Sequence, residues 1–217
     1  MSRNNRCTEK VMKKGVFISI EGSDGAGKST QINLLRKYLE ELDREVIITR
    51  EPGGTAISEK IRELLLDKNN SEMASMTETL LYAAARAQLV SEVIKPALEQ
   101  GKIVICDRFI DSSIAYQGYG RKLGDCVKTI NEFAVDGCMP HVTFLMLINP
   151  ETSTGRLKED SKDRIEMEAS SFHQAVYNGY LEIEKQYPDR IVGINAQRGI
   201  EEIHKDIRKK IDEIIGA

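Results

Sequence analysis

"VFISIEGSDGAGKST", residues 16–30, runs from an apolar segment into a glycine-crowded turn, then a lysine and two hydroxyls. A chain gives up side chains at the exit of a buried strand where something must approach its backbone closely. From Gly22 to Ser29 the spacing is G-x-x-x-x-G-K-S, the pattern that cradles nucleotide phosphates. Gly22, Gly25 and Gly27 allow positive φ, so that the backbone around Ser23, Asp24 and Ala26 turns its N–H groups inward. A helix opening near Lys28 aims its positive dipole end at the same point. Lys28 brings a full charge to the outer phosphates, Ser29 supplies a hydroxyl for Mg2+, and Thr30 closes the motif.

The rest of the chain repeats the opening alternation. "VIITRE" (46–51), "KIVICD" (102–107), "HVTFLMLI" (141–148) and "RIVGINA" (190–196) are short runs rich in Val and Ile, separated by helical patterns. Near-continuous apolarity suits strands covered on both faces, as in a parallel sheet. Ile32, Leu35, Leu39 and Leu42 recur at helical spacing, as do Ile57, Ile61, Leu64 and Leu65. A longer pattern runs from Thr77 towards Gln100, with a break or kink expected at Pro96 and a stop at Gly101. The fold expected is an α/β three-layer P-loop architecture: about five parallel strands with helices on both faces and a short mobile lid.

With 217 residues and no linker or repeat, we expect a flexible extension over 1–14 and a single domain over 15–217. A net charge of −3 speaks against a nucleic-acid polymer as partner. No apolar run approaches a membrane span, and the polar, basic N-terminus has no signal-peptide core. The four cysteines Cys7, Cys106, Cys126 and Cys138 show no zinc spacing and read as reduced thiols of a cytoplasmic protein.

A second motif agrees with the cradle. "IVICDRF" ends a strand in Asp107 and Arg108, where a carboxylate beside the loop would hold Mg2+; a plain surface ion pair is the alternative. What receives the phosphoryl group is decided by arginines. No H-R-D-type loop supplies a catalytic base, and no N-K-x-D element reads guanine. Arg50, Arg86 and Arg108 stand instead in "TREPGG", "LLYAAARAQL" and "CDRF". A nucleoside monophosphate, with a second pKa of about 6, is already nucleophilic at neutral pH and needs clamping rather than deprotonation.

These segments, with "DRFIDSSIAYQG" and "DRIE", resemble thymidylate kinases in order and spacing from about Phe17 onward. The resemblance implies ATP-dependent conversion of dTMP to dTDP by in-line transfer between two bound nucleotides, with Mg2+ held near Ser29 and Asp107. It implies Lys28, Asp24 and Arg108 as catalytic groups, with Asp24 on the acceptor's 3′-hydroxyl and Arg108 on its phosphate, and Arg50 lining the same site. Tyr82, where the family usually has Phe, would stack on the base, and Arg86 would face thymine O4. Ser113 and Gln117 would address the base edge, and Tyr116 would lie against the sugar. Tyr82 also reads as a core residue of an amphipathic helix, and Ser112 and Ser113 as helix caps after Asp111.

The family meets the transition-state charge either with an arginine in the loop or with a basic flap. The loop position is Gly25 here, so the resemblance points to the flap, approximately 155–168, with Arg156, Lys158, Lys162 and Arg164 as candidates. Arg164 and Lys162 are preferred. A homodimer through helices around 77–100 and 125–137 is expected from the same resemblance. Another monophosphate kinase, for dUMP or CMP, and a P-loop ATPase switch remain as alternatives.

Overall fold

The computed structural model describes residues 15–150, 152 and 163–216. The stretch 1–14 and the flap residues Arg156, Lys158 and Lys162 lie outside the described residues. Five parallel strands form one sheet: β1 (Val16–Gly22), β2 (Val46–Arg50), β3 (Ile103–Asp107), β4 (Val142–Leu147) and β5 (Ile191–Asn195). Their order is β2-β3-β1-β4-β5, with all pairs parallel. The five expected strands are therefore all present, each within one residue of its expected ends.

Side chains alternate across β1, and each face finds a helical layer. Ile18 and Ile20 join Leu35 and Leu39 of α1 (Lys28–Glu41) and Ile203, Ile207 and Ile211 of the last helix, α8 (Ile200–Ile215). Phe17 faces the other way, with Val104 and Cys106, onto Leu89, Val90 and Ile94. Full burial of each such side chain stabilises the fold by roughly 1.5–3 kcal/mol. Two polar residues share the Phe17 side of β1. Ser19 lies 2.8 Å from the Thr143 hydroxyl, and Glu21 is wholly buried.

Further helices are α2 (Ala56–Leu66), α3 (Ser75–Leu89), α4 (Lys95–Glu99), α5 (Ile110–Ser113), α6 (Cys126–Val135) and α7 (Ser170–Gln186). The interruption expected at Pro96 falls one turn earlier, as a π-helical segment over Val90–Ile94. Proline has no N–H to offer Glu92, and its ring crowds that carbonyl. The helix widens to accommodate it, so that the Lys95 N–H reaches back five residues to Val90 O. A second π-helical segment, Ile114–Gly120, continues α5 and carries Tyr116 and Gln117. Ser112 and Ser113 are inside this helix, not its caps, and Phe109 holds the cap position.

The strand order brings the site together. From β1 the chain first winds to one side, through β2 and β3, and then to the other, through β4 and β5. The carboxyl end of β1 is thus the point where the winding reverses, where open α/β sheets bind ligands. The glycine loop leaves β1 there, and register pairs Ile20 with Asp107 at the end of β3.

Candidate active site

The loop between β1 and α1 is built by three left-handed or extended glycines. Gly22, Gly25 and Gly27 have φ of 129°, 77° and 89°. At Gly22 an added Cβ would lie 2.4 Å from Met146 O on β4, so the turn and the close strand approach both demand glycine. Gly27 forms the cap of α1, and Ala26 is buried beneath the loop. Lys28 folds back over this turn, donating to Gly22 O at 3.1 Å and Ser23 O at 3.0 Å, with Asp24 Oδ1 at 3.6 Å. Burial, followed by the nearby Arg108 guanidinium, lowers the Lys28 ammonium below its ordinary value.

Two cavities open from this point. One, of about 810 Å³, follows the loop and is lined by Gly25, Gly27, Lys28, Ser29, Thr30, Arg50 and Asp107, among others. The second, of about 580 Å³, is lined by Pro52, Leu66, Tyr82, Arg86, Phe109, Ser112, Ser113, Tyr116, Gln117, Asp163 and Ile165. Asp24, Glu51, Arg62 and Arg108 line both.

Arg108 stands at the junction. Its backbone is left-handed, with φ of 68°, a conformation costing a non-glycine residue on the order of 1–3 kcal/mol. Its guanidinium donates to Asp24 Oδ1 at 2.8 Å and, more weakly, to the Ser112 and Tyr180 hydroxyls at 3.3 Å each. It also lies 5.2 Å from the centre of the Tyr116 ring. Burial alone would raise the Asp24 carboxyl, but Arg108 and Lys28 outweigh it and hold that group well below the usual carboxylate range.

The base-side cavity is polar in its depth. Arg86 is 1 % exposed, and every one of its five N–H groups is engaged. Nε and one Nη2 hydrogen go to Glu51 Oε2, the other Nη2 hydrogen to Phe109 O, and Nη1 to Ser113 Oγ and Asn131 Oδ1. A buried guanidinium needs acceptors, and here they are protein groups distant in sequence. Tyr82 is half-buried and lines the cavity, outside the described hydrophobic clusters. Burial, and then the Glu78 charge, raise the pKa of its phenol, making it a weaker acid. Tyr116 and Gln117 are buried in the cavity wall, and the Gln117 amide donates to Glu78 at 3.0 Å.

Two placements differ from the sequence reading, and one cavity residue had no place in it. Arg50 lines the loop cavity rather than the base-side one, and pairs at 2.8 Å with Glu59. Arg164, expected over the transferring phosphoryl, lines neither cavity. It donates to Glu78 Oε2 at 2.7 Å and Leu65 O at 2.8 Å, clasping the flap's exit to α2 and α3. Arg62 escaped notice in the sequence. It donates to Pro52 O at 2.9 Å and lines both cavities. Its only sequence signal is a charge set between Ile61 and Leu64 on an otherwise amphipathic helix.

Asp107 Oδ1 is buried without a hydrogen-bond partner, and Asp107 and Ser29 line the loop cavity together. A carboxylate oxygen left open beside a hydroxyl suits a hard divalent cation. No cluster of three or more His, Cys, Asp or Glu able to hold a metal occurs among the described residues.

Sheet order, glycine loop and strand-end aspartate together define a P-loop phosphate-binding protein with two adjoining cavities. The model of the family described as "Thymidylate kinase" matches residues 20–207, and this chain belongs to the thymidylate kinase family. The thymidylate kinase of Exiguobacterium sp. is 49 % identical over 195 residues, covering 89 % of this chain and 92 % of that one. The thymidylate kinase of Symbiobacterium thermophilum is 48 % identical over 201 residues, covering 92 % and 94 %. The crystal structure of thymidylate kinase from Ehrlichia chaffeensis superposes with a TM-score of 0.74 at 35 % identity, covering 92 % of this chain and 99 % of that one. The chain is therefore an enzyme, a kinase with the P-loop fold anticipated from its sequence.

Proposed function

We propose that the protein transfers the terminal phosphoryl group of ATP to dTMP, giving dTDP. The observation that carries this reading is the shared wall: Asp24, Glu51, Arg62 and Arg108 line both the loop cavity and the base-side cavity. A donor phosphate in one and an acceptor phosphate in the other meet at two guanidinium groups. Lys28 and the loop backbone hold the donor, while Arg108 grips the acceptor phosphate, which is nucleophilic without a base. Asp24, kept ionised, accepts from the sugar 3′-hydroxyl, and Tyr116 faces the sugar. Lys28, Arg108 and Arg62 meet the charge of the transferring group. Ser29 and Asp107 would hold Mg2+, which would supply charge neutralisation at the donor phosphates.

Tyr82 stacks on the base. Ser113 accepts from Arg86 and so has its own hydrogen to give to a carbonyl at ring position 4. The Gln117 nitrogen is committed to Glu78, which leaves its carbonyl to accept from N3–H. Arg86 thereby reads O4 through Ser113 rather than by a direct bond. Cytosine presents the opposite polarity at both positions, a mismatch of several kcal/mol. Uracil lacks only the methyl, about 1 kcal/mol.

Met76, Leu80, Ala84 and Ala87 form an exposed stripe on α3, and Phe133 on α6 is 82 % exposed beside it. An apolar stripe of this kind on two packed helices supports a homodimer through this face.

The test is ADP release with Mg-ATP and dTMP, dUMP, dCMP, CMP or AMP as acceptor. Turnover highest on dTMP, lower on dUMP and nearly absent on dCMP is expected. Preference for another monophosphate would overturn the base assignment, and hydrolysis indifferent to acceptor would favour a switch ATPase instead.

A further inference from the structure

Glu21 is the last side chain of β1 before the glycine loop, wholly buried, and unused by the mechanism above. Three donors from two other parts of the chain converge on it. The Phe109 N–H donates to Oε1 at 2.7 Å, and the Ser112 hydroxyl to Oε2 at 2.5 Å. The Tyr180 hydroxyl of α7 donates to Oε2 at 3.2 Å or to Ser112 at 2.9 Å. The same two hydroxyl oxygens accept from Arg108 Nη1. Each hydroxyl has one hydrogen. Spent towards Glu21, it leaves the lone pairs facing the guanidinium.

The backbone of Arg108 is held by the same group. Its N–H donates to Ile20 O at 3.0 Å, and the next N–H, that of Phe109, goes to Glu21. The left-handed turn at Arg108 is therefore pinned on both sides to the end of β1. Hydroxyl bonds fix Nη1, and Asp24 takes one hydrogen of Nη2. The guanidinium so held lines both cavities, where phosphate oxygens would meet it.

We infer that Glu21 is the positioning residue for Arg108: its carboxylate orients the Ser112 and Tyr180 hydroxyls as acceptors and locks the turn, so that the guanidinium meets the acceptor phosphate. The inference rests on the acceptor reading above. Glu21→Gln is the discriminating variant because it keeps the shape. An amide cannot accept from the Phe109 N–H and from two hydroxyls. One orientation opposes two N–H donors at Phe109, and the other turns the hydroxyl hydrogens towards Arg108.

Initial rates with ATP and dTMP are measured at about pH 8.5, where the Glu21 carboxyl is ionised, for the wild type, Glu21→Gln, Ser112→Ala, Tyr180→Phe and the double variant Glu21→Gln/Tyr180→Phe. Glu21→Gln raises the KM for dTMP at least about tenfold and lowers kcat, while the KM for ATP moves less than about threefold, because the loop is untouched. In the double variant the factors do not multiply, since both residues act through one guanidinium. A folded Glu21→Gln enzyme with wild-type KM for dTMP, or factors that multiply, would overturn the inference. Should Glu21→Gln not fold, the single hydroxyl variants decide. A raised KM for dTMP alone supports the relay, and unchanged kinetics in both overturns it. A wild type inert towards dTMP would bring down the acceptor reading as well, whereas an active wild type with unaffected variants brings down only the role of Glu21.

Discussion

At the scale of single residues, the site is organised by buried carboxylates. Burial, and after it the charge of Asp111, pushes the Glu21 carboxyl from 4.5 to about 7. A carboxyl whose folded value is raised stabilises the fold when protonated, and that contribution is lost as pH rises through about 7. Between about pH 7.5 and pH 5.5 the wild type should gain roughly 2 kcal/mol of unfolding free energy relative to Glu21→Gln. Urea denaturation at the two pH values checks this, and parallel behaviour would refute it. Glu78 is the opposite case. Its burial alone would raise it, but bonds from Arg121, Gln117 and Arg164 lower it below the ordinary value. Arg164→Ala removes one of these and should cost about 2–3 kcal/mol of stability. A variant of full stability whose kcat collapses would return Arg164 to the phosphoryl group.

At the scale of elements, the decisive unit is β1, its loop and α1, and it was legible because each of its signals is local. Apolar continuity, glycine spacing and the Lys-Ser-Thr end all lie within residues 16–30. Gly22→Ala tests the unit. A Cβ at φ 129° and 2.4 Å from Met146 O should destabilise the protein by roughly 3 kcal/mol or more and abolish ATP binding, measured by calorimetry. The helix after Ser75 was legible in extent but not in detail. Pro96 announces a defect, yet whether the chain kinks or widens depends on the packing of Val90 and Ile94 against the sheet. The π-helical stretch that delivers Tyr116 and Gln117 has no sequence signal comparable to the glycine loop.

At the scale of the whole molecule, the exposed stripe on α3 and α6 leads to the last expectation. Phe133→Glu, and Leu80→Glu separately, should shift the protein towards monomer in sedimentation velocity. Stability of the isolated fold should change by less than about 0.5 kcal/mol, because both side chains are exposed. An unchanged sedimentation coefficient in both variants would place any dimer interface elsewhere. Among the described residues no helix is long and apolar enough to cross a membrane.

The sequence by itself determined the strands, their parallel character and the phosphate loop, because these follow from periodicity and spacing within a few residues. It also marked Arg86, Arg108 and Tyr82 as residues to explain. Only the tertiary structure decided what each of them faces. Arg86 meets Glu51 from 35 residues away, Glu78 gathers Arg164 from 86 residues away, and Glu21 reaches Tyr180 across 159. Charge and hydrogen-bonding capacity are properties of a residue. Partners are properties of a packed sheet, which brings the ends of β1 and β3 together and leaves a buried polar group to bond whatever lies there.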